Sequence, residues 1–200
     1  MTTHVPDAER RNHTIDSFRA LLPLIPADAR TALDVGCGEG FASRGLAARG
    51  LEVTAIDPDA PSLALAREQE SQGITYVEAD VMTADLPGNY DVIAALAVLH
   101  HLPLEPALAR FRDLLAPGGL LLVVGLAASN MPRDAARELA AVVVNTAGRI
   151  THKEWEQPSP TVWPPPTTYD EVRDASGRLL PGSAFKRHLT WRYTLTWVKP

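Results

Sequence analysis

The chain has 200 residues, 46% of them hydrophobic and 22% charged, with a formal net charge of −5. That length suits one domain, residues 1–200, with a sizeable core. The acidic balance and the lack of a basic stripe argue against nucleic acid as a partner, and no apolar run reaches the roughly 18 residues that would cross a membrane.

Residues 1–11 are polar and lack the apolar centre of a secretory signal. The single cysteine, Cys37, excludes an internal disulfide and points to a reducing, cytoplasmic setting. In residues 12–25, Ile15, Phe18, Leu21, Leu22 and Ile25 recur at helical spacing, and Pro23 limits the helix at its C-terminal end.

The apolar run Ala32, Leu33, Val35 then ends in Gly36, Gly38 and Gly40, and small residues resume a helical pattern to residue 49, closed by Gly50. This predicts strand, tight glycine turn and helix, the opening of a nucleotide-type α/β fold. The dinucleotide fingerprint needs a glycine where Phe41 stands. Asp34 at the mouth of the turn would repel a pyrophosphate and suits a ligand carrying positive charge. Cys37 reads as a small residue packed near that ligand rather than as a nucleophile.

Leu51, Val53, Ala55 and Ile56 predict a second strand, ending at Asp57-Pro58-Asp59. Asp57 lies about 20 residues beyond the glycines, where an acid accepts hydrogen bonds from ribose hydroxyls. The other reading is a helix cap, which Asp59 fits better. Residues 62–72 predict a helix ended by Gly73, and Ile74, Tyr76 and Val77 a third strand, followed by Glu78-Ala79-Asp80-Val81.

After a turn at residues 86–89, residues 90–96 form a nearly all-apolar strand, as expected for one covered on both faces. Ala97, Val98, Leu99, His100, His101, Leu102 and Pro103 follow. Open α/β sheets bind ligands at the carboxyl ends of their strands, so two histidines there are the polar candidates for chemistry. Residues 106–115 predict a helix, stopped by Ala116-Pro117-Gly118-Gly119 before a strand at 120–126. The βαβ alternation implies right-handed crossovers and a parallel sheet.

Residues 131–147 have helical spacing, with a solvated face of Arg133, Asp134, Arg137 and Glu138. Residues 151–168 carry five prolines with Trp155 and Trp163, and no regular element accommodates them. Such a loop reads either as an ordered lid over an apolar acceptor pocket or as a strap on the surface. Residues 169–180 predict a helix with Thr168 as cap and Glu171 three residues on. Residues 183–190 and 191–198 predict a closing pair of strands, with Leu189, Trp191, Tyr193, Leu195 and Trp197 on one face.

Three stretches carry a family resemblance. Leu33-Asp34-Val35-Gly36-Cys37-Gly38-Glu39-Gly40 resembles motif I of class I S-adenosylmethionine (SAM)-dependent methyltransferases. Tyr90 through Leu102, ending in Leu-His-His-Leu, and the Leu-Leu-Ala-Pro-Gly-Gly run into residues 120–124 resemble later segments of the small-molecule, methyltransferase-11-like members. The resemblance spans about residues 32–124. It implies a Rossmann-like seven-stranded sheet with helices on both faces and the last strand antiparallel. It implies SAM as cofactor, S-adenosylhomocysteine as product and a small-molecule acceptor. It places Asp34, Gly36, Cys37, Gly38 and Gly40 around the cofactor, Asp57 with Pro58 at the ribose, Asp80 at the adenine amino group, Val81 on the ring and Ala97 beside the site. His101, or else His100, would take or orient the acceptor proton. The helix of residues 12–25 would pack over the cofactor, with Asn12 and His13 near the pocket mouth, although His13 reads better as part of a solvated turn. Metal-dependent relatives carry carboxylates where Ala97 and His100 stand, so no metal is expected. Two rival readings remain at this point: an NAD-dependent oxidoreductase, which Phe41 and Asp34 oppose, and a non-catalytic SAM-binding protein of the same fold.

Overall fold

Alternation of apolar strands and amphipathic helices decides the architecture. The computed structural model describes residues 6–69, 72–137, 139–142 and 164–200. Among these, seven strands form one sheet in the order β3-β2-β1-β4-β5-β7-β6. The strands are β1 (Thr31–Val35), β2 (Glu52–Asp57), β3 (Ile74–Glu78), β4 (Tyr90–Leu96), β5 (Leu115–Leu126), β6 (Ala184–Arg187) and β7 (Arg192–Val198). Strands β1 to β5 pair in parallel, and β7 runs antiparallel between β5 and β6. The expected Rossmann-like sheet with an antiparallel last strand is therefore what the chain forms.

Because side chains alternate along a strand, each strand feeds two cores. On one face Ala32, Val53, Val92 and Leu122 pack with Phe18 of α1 (His13–Leu21), Leu46 of α2 (Phe41–Ala47) and Leu63 of α3 (Ala60–Glu68). On the other, Leu33, Ile93 and Leu121 pack with Phe111 of α4 (Leu104–Leu114) and Val172 of α5 (Tyr169–Leu179). Burying both faces is what permits strands such as β4 to be apolar throughout.

Local signals act largely as read. Asn12 caps α1 by accepting from the Ile15 amide at 2.8 Å, and Pro23 sits in a short 3₁₀ turn that ends the helix early, at Leu21. Thr168 and Glu171 form a reciprocal capping box on α5. Helix α4 begins two residues before the expected start and contains Pro106 in its first turn, where a missing N–H leaves no helical bond unmade.

Three expectations shift. The Ala116–Gly119 stretch lies inside β5 as an irregularity: Leu115 already pairs with Tyr90, the register then slips, and Leu120 pairs with Val92. The face shared by Tyr193, Leu195 and Trp197 is buried, but Leu189 is 37% exposed and Trp191 has φ of 55°, because the chain reverses between β6 and β7 and breaks the alternation. Helix α3 ends at Glu68, short of the expected residue 72. Residues 135–137 and 139–142 are helical, as expected for 131–147. Residues 131–134 form a turn instead of the expected first helical turn, and residues 138 and 143–147, with Trp155 and Trp163 of the lid or strap, lie outside the described residues.

Candidate active site

Strand β1 ends at the sheet's carboxyl edge and delivers Asp34 into the core, 1% exposed. The chain then turns through Gly36, Gly38 and Gly40, all with positive φ. Gly36, at φ 63°, is required twice over: its backbone is left-handed, and a Cβ there would lie 2.4 Å from Cγ2 of Val98. The Gly36 amide donates to the Ile56 carbonyl at 2.8 Å, tying the turn to β2.

Asp57, at the end of β2, braces the same turn. Its Oδ2 accepts from the Gly38 amide and its Oδ1 from the Asp59 amide, each at 2.8 Å. Asp59 in turn caps α3 by accepting from Ser62 at 3.0 Å. Asp59 is thus the cap, and Asp57 is fixed in orientation with an acceptor lone pair remaining on each oxygen. Asp80 is exposed and accepts from the Met82 amide at 2.9 Å. Arg110 of α4 reaches under this loop to the carbonyls of Val81 at 3.3 Å and Ala84 at 2.6 Å. Nothing in the helical charge pattern singled Arg110 out.

These parts enclose an open cleft of about 320 Å³ along the ends of β1, β2 and β4. Of the expected site residues, Gly36, Asp57, Pro58, Asp80, Val81, Ala97 and His101 line it. A second, smaller cavity of about 30 Å³ adjoins it through Gly36 and is lined by Asp34, Cys37 and Glu39 below and by Thr14 and Ile15 of α1 above. Gly38, Gly40 and His100 line neither; they shape the turn and the loop behind.

Asp34 is electrostatically unusual. Its Oδ2 accepts from the Ser43 hydroxyl at 2.5 Å, while Oδ1 is buried without a hydrogen-bond partner among the described residues. Burial pushes its pKa up from 3.8 to about 7, the Ser43 hydrogen bonds oppose the rise, and nearby Asp57 adds to it. A buried carboxylate with an unused oxygen beside a cavity suits a cationic ligand group. Burial first, then Asp34 and Asp57, pushes the Cys37 thiol far up, which leaves it inert as a nucleophile.

Ala97 follows β4 with φ of 53°, a left-handed conformation for a residue with a Cβ, and directs the chain into a 3₁₀ turn at Leu99–His101. The two histidine rings pack at 4.2 Å between centroids. They face different surroundings. His101 is exposed and borders the cleft. His100 is 6% exposed, and its Nδ1 lacks a hydrogen-bond partner among the described residues. Burial, then His101, then Arg192 lower its pKa to about 4, so it is neutral at physiological pH.

Known proteins resolve the family. Over 92% of its length the chain is 37% identical to an uncharacterized methyltransferase of Mycobacterium tuberculosis, covering 94% of that protein. The chain belongs to the class I SAM-dependent methyltransferases. The methyltransferase-domain family matches residues 33–123, the span from Asp34's strand through β5. A ubiquinone biosynthesis O-methyltransferase of Pseudomonas aeruginosa is 37% identical over 97 residues, 45% of this chain and 41% of that one. Among solved structures, SAM-bound CalS10, an amino pentose methyltransferase from Micromonospora echinaspora, superposes with a TM-score of 0.64 at 18% identity, covering 94% of this chain and 92% of its own. SAM is accordingly the methyl donor of this methyltransferase, and the oxidoreductase reading is set aside. The donor set fits that cofactor: an acid with an unused oxygen for a cationic end, a glycine cradle, and an oriented acid for a diol.

The sequence reading passed over Glu39 and its partner Arg10. Glu39 is 6% exposed and Arg10 2% exposed, and Arg10 donates to Glu39 in a buried ion pair. A charged residue between two glycines of a buried turn was the available signal.

Proposed function

We propose that this methyltransferase modifies an oxygen, nitrogen or carbon atom of a small-molecule acceptor. The observation that carries this reading is the cleft joining Asp57 and Asp80 at one end to Ala97 and His101 at the other. SAM supplies an electrophilic methyl group and leaves as S-adenosylhomocysteine. Asp34 holds the cofactor's ammonium with its unused oxygen. Asp57 takes the ribose hydroxyls, held in register by the Gly38 and Asp59 amides. Asp80 accepts from the adenine amino group, and Val81 packs on the ring.

His101 borders the cleft and is the residue placed to hold the acceptor proton at a ring nitrogen. An exposed imidazole can do so near neutral pH. Buried His100 backs the His101 ring and fixes its orientation. Much of the rate comes from holding two reactants in line, an effect worth on the order of 10 kcal/mol. The names of the two relatives, an O-methyltransferase and an amino pentose methyltransferase, support a hydroxyl or amine acceptor. The chain acts as one domain, and its one inert thiol suits a reducing cytoplasm.

The test is single-turnover methyl transfer from labelled SAM to a panel of phenols, amines and carboxylic acids, with wild type and His101→Ala. Label appearing in any of these acceptors with wild type, and reduced in the variant, supports the reading. Label found only in macromolecules refutes it.

A further inference from the structure

Strands β3 and β4 are joined without a helix. Helices α2, α3 and α4 fill the other connections between the parallel strands, while residues 79–89 contain turns only. A helix satisfies most of its own main chain, and a bare connection must find partners elsewhere. Its first part winds one turn around Asp80, whose carbonyl accepts from the Thr83 and Ala84 amides at 3.1 and 2.8 Å. Upstream, the Ala79 amide reaches back to the Asp57 carbonyl at 3.2 Å. The carbonyls at the far end of such a turn have no partner within it.

Arg110 meets that need from outside. On α4, Ala107, Phe111 and Leu114 face the core. Arg110 leaves the helix beside them, and its Nε and one terminal nitrogen donate to the carbonyls of Val81 at 3.3 Å and Ala84 at 2.6 Å. A planar guanidinium holds two donors at a fixed spacing, which a flexible ammonium does not. Both contacts go to main chain, and among the described residues no carboxylate pairs with this arginine. Its charge is spent on the carbonyl end of the turn, as a basic side chain caps the end of a helix.

The residues so held are those at the adenine end of the cleft. Val81 is 5% exposed and belongs to the same core as Phe111, and both Asp80 and Val81 line the cleft. Asp80 is exposed, so no packing of its own fixes it; its carboxylate is directed by the turn, through the Met82 amide at 2.9 Å.

We propose that Arg110 is the positioning residue of the adenine end: by capping the turn of residues 80–84 from α4, it holds Asp80 where a purine 6-amino group is selected. Arg110 touches no cofactor atom and acts through Asp80 and Val81. This rests on the reading that adenine lies against those two residues.

The test is titration calorimetry of the full chain with S-adenosylhomocysteine and with its analogue carrying unsubstituted purine in place of adenine. Wild type, Arg110→Lys and Arg110→Met are compared. The analogue lacks only the 6-amino group, so the ratio of the two affinities reads the Asp80 contact. Wild type should prefer S-adenosylhomocysteine by about tenfold or more, the scale of a hydrogen bond to a charged acceptor. Arg110→Met should cut that preference by about threefold or more, weakening S-adenosylhomocysteine more than the analogue. Arg110→Lys, with one donor point in place of two, should fall between. A merely structural role would weaken both ligands alike. Equal weakening of both, or an unchanged preference, overturns the role of Arg110 and leaves the cofactor reading intact. Wild type that binds the two equally removes Asp80 from the amino group and overturns the proposal with it. Wild type that binds neither overturns the cofactor reading as well. Should Arg110→Met fail to fold, Arg110→Lys decides: a reduced preference supports the proposal, and a preference at the wild-type level overturns it.

Discussion

Asp34→Asn is expected to stabilise the free protein while weakening its hold on SAM. Asp34 ionises at about 3.8 in an unfolded chain and at about 7 in the fold, chiefly because it is buried. Between those values the folded state keeps a proton that the unfolded state has released. Stability therefore falls as pH rises from about 4 to about 7, and is flat above. At about 1.36 kcal/mol per pH unit, the full penalty reaches about 4 kcal/mol. Asparagine has the same shape, can still accept from Ser43, and carries no charge to desolvate. Its advantage over aspartate should grow by about 2–3 kcal/mol between pH 5 and pH 8, or about 5–10 °C in Tm for a chain of this size. The cofactor's ammonium would relieve the same penalty in the wild type, so the variant should bind SAM about 10–100-fold more weakly, the scale of a lost charge-assisted bond. Scanning calorimetry at both pH values and titration calorimetry with SAM measure the two effects. A Tm difference that is the same at pH 5 and pH 8 would refute the electrostatic argument. Unchanged SAM affinity would remove Asp34 from the ammonium site.

Further outcomes are expected elsewhere in the site. Asp57→Ala should weaken SAM binding by about 1–3 kcal/mol, measured by calorimetry, and the Gly38 turn should loosen with it, since that amide loses its acceptor. Gly36→Ala should abolish SAM binding or prevent folding, because φ of 63° and the 2.4 Å approach to Val98 both oppose a Cβ; a folded variant with normal affinity, seen by circular dichroism and calorimetry, would contradict this. His101→Ala should lower single-turnover transfer to the true acceptor by about 10²–10⁴-fold with little change in SAM affinity. His100→Ala should lose less, and because His100 stays neutral down to about pH 4, any acid limb of the rate profile above pH 5 should survive that substitution.

The strands of the parallel sheet, the glycine turn and the acids at its rim were legible because each rests on local chemistry. Apolar runs between glycines specify strands, and an acid at a strand end stands out against them. His101 and His100 were legible as a pair but not as unlike members. Only the 3₁₀ turn launched by Ala97 turns one ring to the cleft and the other to the interior. Strand β5 was misjudged at its start because Pro117 and Gly118 are strong turn signals. Tertiary pairing of Leu115 with Tyr90 absorbs them as an irregularity within the strand. Arg10 was illegible for a different reason. Its neighbours Asp7, Glu9 and Arg11 make a solvated stretch in sequence, and nothing local tells that one arginine of that stretch is buried against Glu39, 29 positions away.

That distant pair bears on the choice of cofactor. Asp34, Glu39 and Asp57 surround one glycine turn, and a bare turn of this shape presents amides that would otherwise attract a phosphate. Here Asp57 takes the Gly38 amide and Arg10 and Arg44 are engaged by Glu39 and Asp7, so neither the amide nor the two arginines are left to receive an anion. What remains open toward the cavity is the Asp34 oxygen. The turn common to nucleotide folds is thereby given the opposite polarity. It disfavours a pyrophosphate by Asp34 and Asp57, acids with no ion-pair partner among the described residues, and favours a ligand with a fixed cation and no phosphate, which among adenosine cofactors describes a sulfonium amino acid.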